Sequence, residues 1–126
     1  MLDADPPGFV RMLVAQLMAS WDTAAARQLI SLMSHDGLTH DALLTGAIEE
    51  SLGSLAGIFQ HWMAAGYITP GLGEPADLAY ARMAPVVQAR LLWLHADATP
   101  QDRQTARDRA TRHAEFFARA AFQPGQ

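Results

Sequence analysis

The stretch SHDGLTHD, residues 34–41, sets two histidine–aspartate pairs, His35–Asp36 and His40–Asp41, five positions apart. Imidazole nitrogens and carboxylate oxygens are ligands for divalent transition metals, so this pattern has the clearest chemical look in the chain. A metal centre also asks that its ligands converge from different elements and that outer partners orient them. Here the two pairs straddle Gly37 at a helix junction, where Asp and His serve as capping and turn residues. We weigh capping above ligation, assign no metal site, and keep a helical metal-binding or metal-dependent module as an alternative. His61, His95 and His113 fall on separate expected helices. No P-loop, dinucleotide fingerprint, nucleophile elbow or zincin spacing is present. The chain has no cysteine, which removes thiolate ligands, thiol nucleophiles and disulfides. Neither an enzyme nor a cofactor is expected.

A second chemistry is apolar. Met12, Trp21, Met33, Phe59, Trp62, Met63, Tyr80 and Met83 are large side chains spread over four expected helices. Sulfur and ring faces adapt to many ligand shapes, so such residues line pockets as well as filling cores. Pro85 lies inside an otherwise helical pattern, where it removes the bond to the carbonyl of Ala81 and should kink the helix. The expectation is a cavity near Met83 and Val87, opposite Phe59 and Trp62. The residues expected to contact an effector are Met12, Trp21, Met33, Leu55, Phe59, Trp62, Met83 and Val87.

These residues need helices to carry them. Strict alternation over strand length is missing, and the period that fits is 3.6. From Pro7 to Ser20, Val10, Leu13, Val14, Leu17 and Met18 share a face. Asp22 is the expected N-cap of a second helix, whose core face carries Ala26, Leu29, Ile30 and Met33. The third, about residues 40–65, sets Leu44, Ile48, Leu52, Leu55, Phe59 and Trp62 on one stripe and ends at Gly66. Gly46, Gly53 and Gly57 lie inside it at about 1 kcal/mol each against Ala. They suggest close approach by a helix or ligand, beside the plainer reading of tolerated glycines. The fourth begins at Pro75 and runs to about His95; between Asp77 and Asp97 its only formal charges are Arg82 and Arg90. A helix apolar on nearly every side asks for partners on more than one side. The fifth starts with Thr99 as N-cap and Pro100 as first residue and continues to about Ala121. Its Asp108–Arg112 and Glu115–Arg119 pairs have the i,i+4 order of a solvated face.

At 126 residues the chain is expected to be one all-α domain. A net charge of −4 gives it no electrostatic footprint for nucleic acid. The stretch from Ser51 to Gly73 is uncharged but broken by Gln60, His61 and five glycines, so no membrane span is expected. Asp3 and Asp5 stand where a signal peptide would be basic, which makes the cytoplasm the expected compartment.

Three segments together carry a resemblance: FVRMLVAQLMASWDTAAARQLISLMSHDGL, the long helix ending FQHWMAAGYITPG, and EPADLAYARMAPVVQARLLWL. They resemble the C-terminal domain of TetR-type transcriptional regulators, in order and helix length over nearly the whole chain. The resemblance implies a five-helix effector-binding bundle with a pocket for a hydrophobic or amphipathic small molecule. It also implies a homodimer in which the last two helices pair with their symmetry mates as a four-helix bundle. Regulators of this family carry an N-terminal three-helix headpiece that reads DNA, and nothing here matches it. DNA binding would therefore come only through a headpiece not present in this chain. The residues themselves add that Val86, Arg90, Trp93 and Leu94, with Ala106, Ala110, His113 and Phe117, could form a self-complementary patch. A purely structural helical dimer without a ligand is the remaining alternative.

Overall fold

The computed structural model describes residues 4–35 and 42–124. Five helices follow in order: α1 (Pro6–Trp21), α2 (Ala24–His35), α3 (Ala42–Ala64), α4 (Pro75–Trp93) and α5 (Pro100–Ala121). Asp36, His40 and Asp41 lie outside the described residues, and His35 closes α2.

Local chemistry sets the ends. The Asp5 carboxylate accepts from the Gly8 backbone N–H at 3.1 Å, capping α1 ahead of its two prolines. Thr99 and Asp102 cap α5 reciprocally, each side chain accepting from the other's backbone N–H at 3.0 Å. At the end of α3, Gly66 takes φ 84°, a conformation open to glycine at little cost. Its N–H donates to Met63 O and that of Tyr67 to Trp62 O, the bond pair of a Schellman stop. The chain then runs extended, and Ile68 bridges Phe122 in antiparallel fashion. Thr69 N donates to Ala121 O at 2.7 Å and Gln123 N to Tyr67 O at 2.9 Å. The segment after α3 is thereby tied to the end of α5.

Two expectations change. The N-cap of α2 is Thr23, whose hydroxyl accepts from Ala26 N at 3.1 Å. Asp22 instead closes α1 and gathers three arginines: Arg27 and Arg103 reach it at 2.7 Å and Arg107 at 2.8 Å. Burial pushes the Asp22 carboxyl up, but the hydrogen bonds and charges of Arg103 and Arg27 outweigh it and hold the group below its ordinary value. The charged face of α5 also pairs otherwise than expected: Glu115 meets Arg11 of α1 at 2.6 Å, and Asp108 accepts from Gln104 of the same helix.

The core has two parts. One centres on Trp62, fully buried, with Phe9, Phe59 and Phe122 edge-on to it at 5.3–5.8 Å between ring centroids. Such edge-to-face pairs add to plain area burial. The other packs Val14 and Met18 of α1 against Val86 and Leu94 at α4 and Ala106, Ala110 and Ala114 of α5. The small alanines let α5 come close to its neighbours. Gly46, Gly53 and Gly57 are exposed, and a Cβ at any of them would meet nothing within 4 Å, so they mark no close approach. Among the described residues no helix is long and apolar enough to cross a membrane.

Candidate functional site

Phe9, near the start of α1, touches Trp62, near the end of α3. Beside that contact a cavity of about 370 Å³ lies among α1, α3 and α4. α1 lines it with Val10, Leu13 and Leu17, three residues one helical stripe apart. From α3 come Glu50, Ser51, Ser54, Leu55 and Ile58; from α4 come Arg82, Met83 and Val86. Glu50, Ser51 and Ser54 are exposed and mark the mouth, while Val10, Leu55, Arg82 and Val86 are buried and form the inner wall. The volume falls within the range of roughly 300–1,000 Å³ typical of small-molecule pockets.

The inner wall is apolar except at Arg82. Its side chain is 5% exposed, and its Nη1 has no hydrogen-bond partner. Among the described residues no carboxylate pairs with it; its nearest compensation is the Phe117 ring, 6.0 Å from the guanidinium carbon. Burial pushes the Arg82 pKa down to about 10. His113 of α5 stands close behind. Burial lowers its pKa, the charge of Arg82 lowers it further, and the backbone carbonyls of Ala81 and Arg82 pull the other way. Arg90, one stripe further along α4, is answered differently: its guanidinium stacks over Trp21 at 4.8 Å.

Of the residues expected to contact an effector, Leu55 and Met83 line this cavity. Phe59 and Trp62 do not; both are sealed in the aromatic core at 0% exposure. Val87 is half-buried beside the lining residue Val86, Met12 is half-buried on α1, and Met33 is half-buried on α2. Trp21 spends its ring on Arg90. α4 runs through Pro85 as one helix, and Pro85 lies on a different face from the cavity. Arg82 lines the cavity without having been singled out for it, and its signal was present: it is one of two formal charges between Asp77 and Asp97 in a largely apolar stretch.

The patch expected for dimerisation is largely internal. Val86, Leu94, Ala106, Ala110 and Phe117 are each at most 6% exposed, because α1 and α3 of the same chain cover them. Arg90, Trp93 and His113 are half-buried. The outward side of α4 and α5 carries a different set: a groove lined by Pro85, Gln88, Ala89, Trp93, Arg109, Arg112, His113 and Phe116. Phe116 is 70% exposed there, and Leu92, 52% exposed, follows Gln88 by one turn.

Among the described residues, no group of three or more His, Asp or Glu side chains could hold a metal ion. Compared with known protein families, with curated proteins and with solved structures, the chain matches none.

Proposed function

We propose that this chain is the small-molecule-sensing and dimerisation domain of a TetR-type transcriptional regulator, acting on DNA through a headpiece outside these residues. The observation that carries the reading is the open-mouthed apolar cavity of about 370 Å³ lined by three helices of an all-helical domain. A ligand there touches α1, α3 and α4 together, and so biases their relative placement by whatever its affinity differs between two arrangements. α4 has the cavity on one side and, on another, the exposed groove with Phe116. That groove, continued by Leu92, replaces the internal patch as the surface offered to a second copy. It supplies exposed aromatic and aliphatic residues flanked by arginines, a composition suited to an interface. With the ligand reading goes a hydrophobic or amphipathic effector and no catalytic role.

A native mass spectrum of the purified chain tests this. The expected result is a metal-free dimer that takes up one small amphiphile per subunit. A monomer that takes up none, or a stoichiometric metal, overturns the proposal.

A further inference from the structure

The cavity is apolar on its inner wall except for one cation, and among the described residues that cation has no counter-charge. Arg82 is 95% buried, its Nη1 lacks a partner, and among the described residues it faces the Phe117 ring, 6.0 Å from the guanidinium carbon, with no carboxylate beside it. A buried charge is tolerated when it is paired and hydrogen-bonded, and a guanidinium is shaped to take two oxygens of one anion side by side. Asp22 shows what pairing looks like elsewhere in this chain, where a single carboxylate takes three arginines. Arg90, whose Nε also lacks a partner, is only half-buried and has its guanidinium carbon 4.8 Å from the Trp21 ring centroid. Arg82 is more deeply buried, has a more distant ring and no carboxylate among the described residues, and lines the cavity.

We infer that the cavity binds an anionic amphiphile, with a carboxylate or similar acid held by Arg82 and an apolar body lying along Leu13, Leu17, Leu55 and Met83. This rests on the reading of the cavity as a ligand site and adds the charge and polarity of the ligand. The order of polarity along the cavity gives the orientation. The acid goes inward to Arg82, and the far end of the body points toward the exposed Ser51, Ser54 and Glu50. The Glu50 carboxylate at the mouth is exposed to water and counter-ions, which screen it from an anion at the inner wall. It also disfavours a ligand bound the other way round.

The probes are octanoate and 1-octanol, which share a chain and differ in charge, titrated calorimetrically into the intact chain and its Arg82→Met and Arg82→Lys variants. Octanoate is expected to bind wild type more tightly than octanol by about tenfold or more, the scale of a charge-assisted hydrogen bond. Arg82→Met should remove that preference, and Arg82→Lys should keep part of it. Equal saturable binding of both probes to wild type overturns the anion assignment and leaves the ligand cavity standing. Saturable binding of neither overturns both. The wild-type comparison needs no variant, so a misfolded substitution does not blunt the test.

Discussion

Replacing Arg82 by Met should make the protein more stable. A guanidinium whose pKa falls from its ordinary value to about 10 has its charged form disfavoured in the fold by about 3 kcal/mol. The unfolded chain holds that proton more tightly than the native one. Folding therefore carries the penalty at every pH below about 10, and sheds it only as pH rises from there toward the ordinary guanidinium value. Methionine has a similar unbranched reach and no charge, so the substitution removes the penalty. It also removes the contact with Phe117, worth about 0.5–1 kcal/mol, leaving a net gain of about 2 kcal/mol. In a domain of this size that raises Tm by roughly 6–12 °C. Urea unfolding followed by tryptophan fluorescence is the assay, with a higher midpoint and an unchanged slope expected. Added octanoate should then separate the two proteins. At ten times its Kd it stabilises wild type by about 1.4 kcal/mol and a tenfold weaker variant by only about 0.4 kcal/mol. A midpoint equal to or below that of wild type would refute the reasoning, because it would mean that Arg82 is already well satisfied without a ligand.

Asp22→Ala should cost about 2 kcal/mol by urea melt, since it strips three arginines of their common acceptor. Because the Asp22 carboxyl titrates low in the fold, its contribution is present above its ordinary value near 3.8 and is lost as pH falls through the folded value. An acid titration of the variant should therefore show a shallower loss of stability below pH ~4 than wild type. Gly53→Ala and Gly57→Ala should each stabilise by about 0.5–1 kcal/mol, as both sites are helical and open; a loss in thermal melts would point to a contact there. Phe116→Asp should convert a dimer to a monomer in sedimentation without lowering monomer stability, since its ring is mostly in water. A dimer that survives the change places the interface elsewhere.

Helix positions were legible in the sequence because their signals are local. Pro75, Pro100, Thr99 and Gly66 punctuate the chain through backbone chemistry that does not depend on what packs nearby. The role of Asp22 was not legible in the same way. Its bonds to Arg103 and Arg107 span more than eighty residues, and a locally plausible N-cap concealed them. Apolar periodicity likewise could not say which face of α4 packs within the chain. Val86 and Leu94 face α1 and α5 inside one subunit, whereas Leu92, only two residues before Leu94, is exposed. For the cavity, the expectation drawn from Pro85 pointed near Met83, which lines it, although Pro85 itself lies on another face of α4 and Arg82 supplies the lining's buried charge.

The bridge between Ile68 and Phe122 also bears on how the chain could be rewired. A surface cleft is lined jointly by Pro7, Arg11, Thr69, Phe122 and Pro124, so the start of α1 and the end of α5 meet at the bridged end of the molecule. The polypeptide is thus nearly a ring. A short linker joining the two ends, with a new opening at the exposed turn of Gly71 and Leu72, would reorder the sequence as α4–α5–α1–α2–α3 and leave every helix intact. In such a permutant the bridge would pin the new C-terminal end against the joined, now internal, segment, and the cavity would be formed by the first and last helices of the chain together with α1.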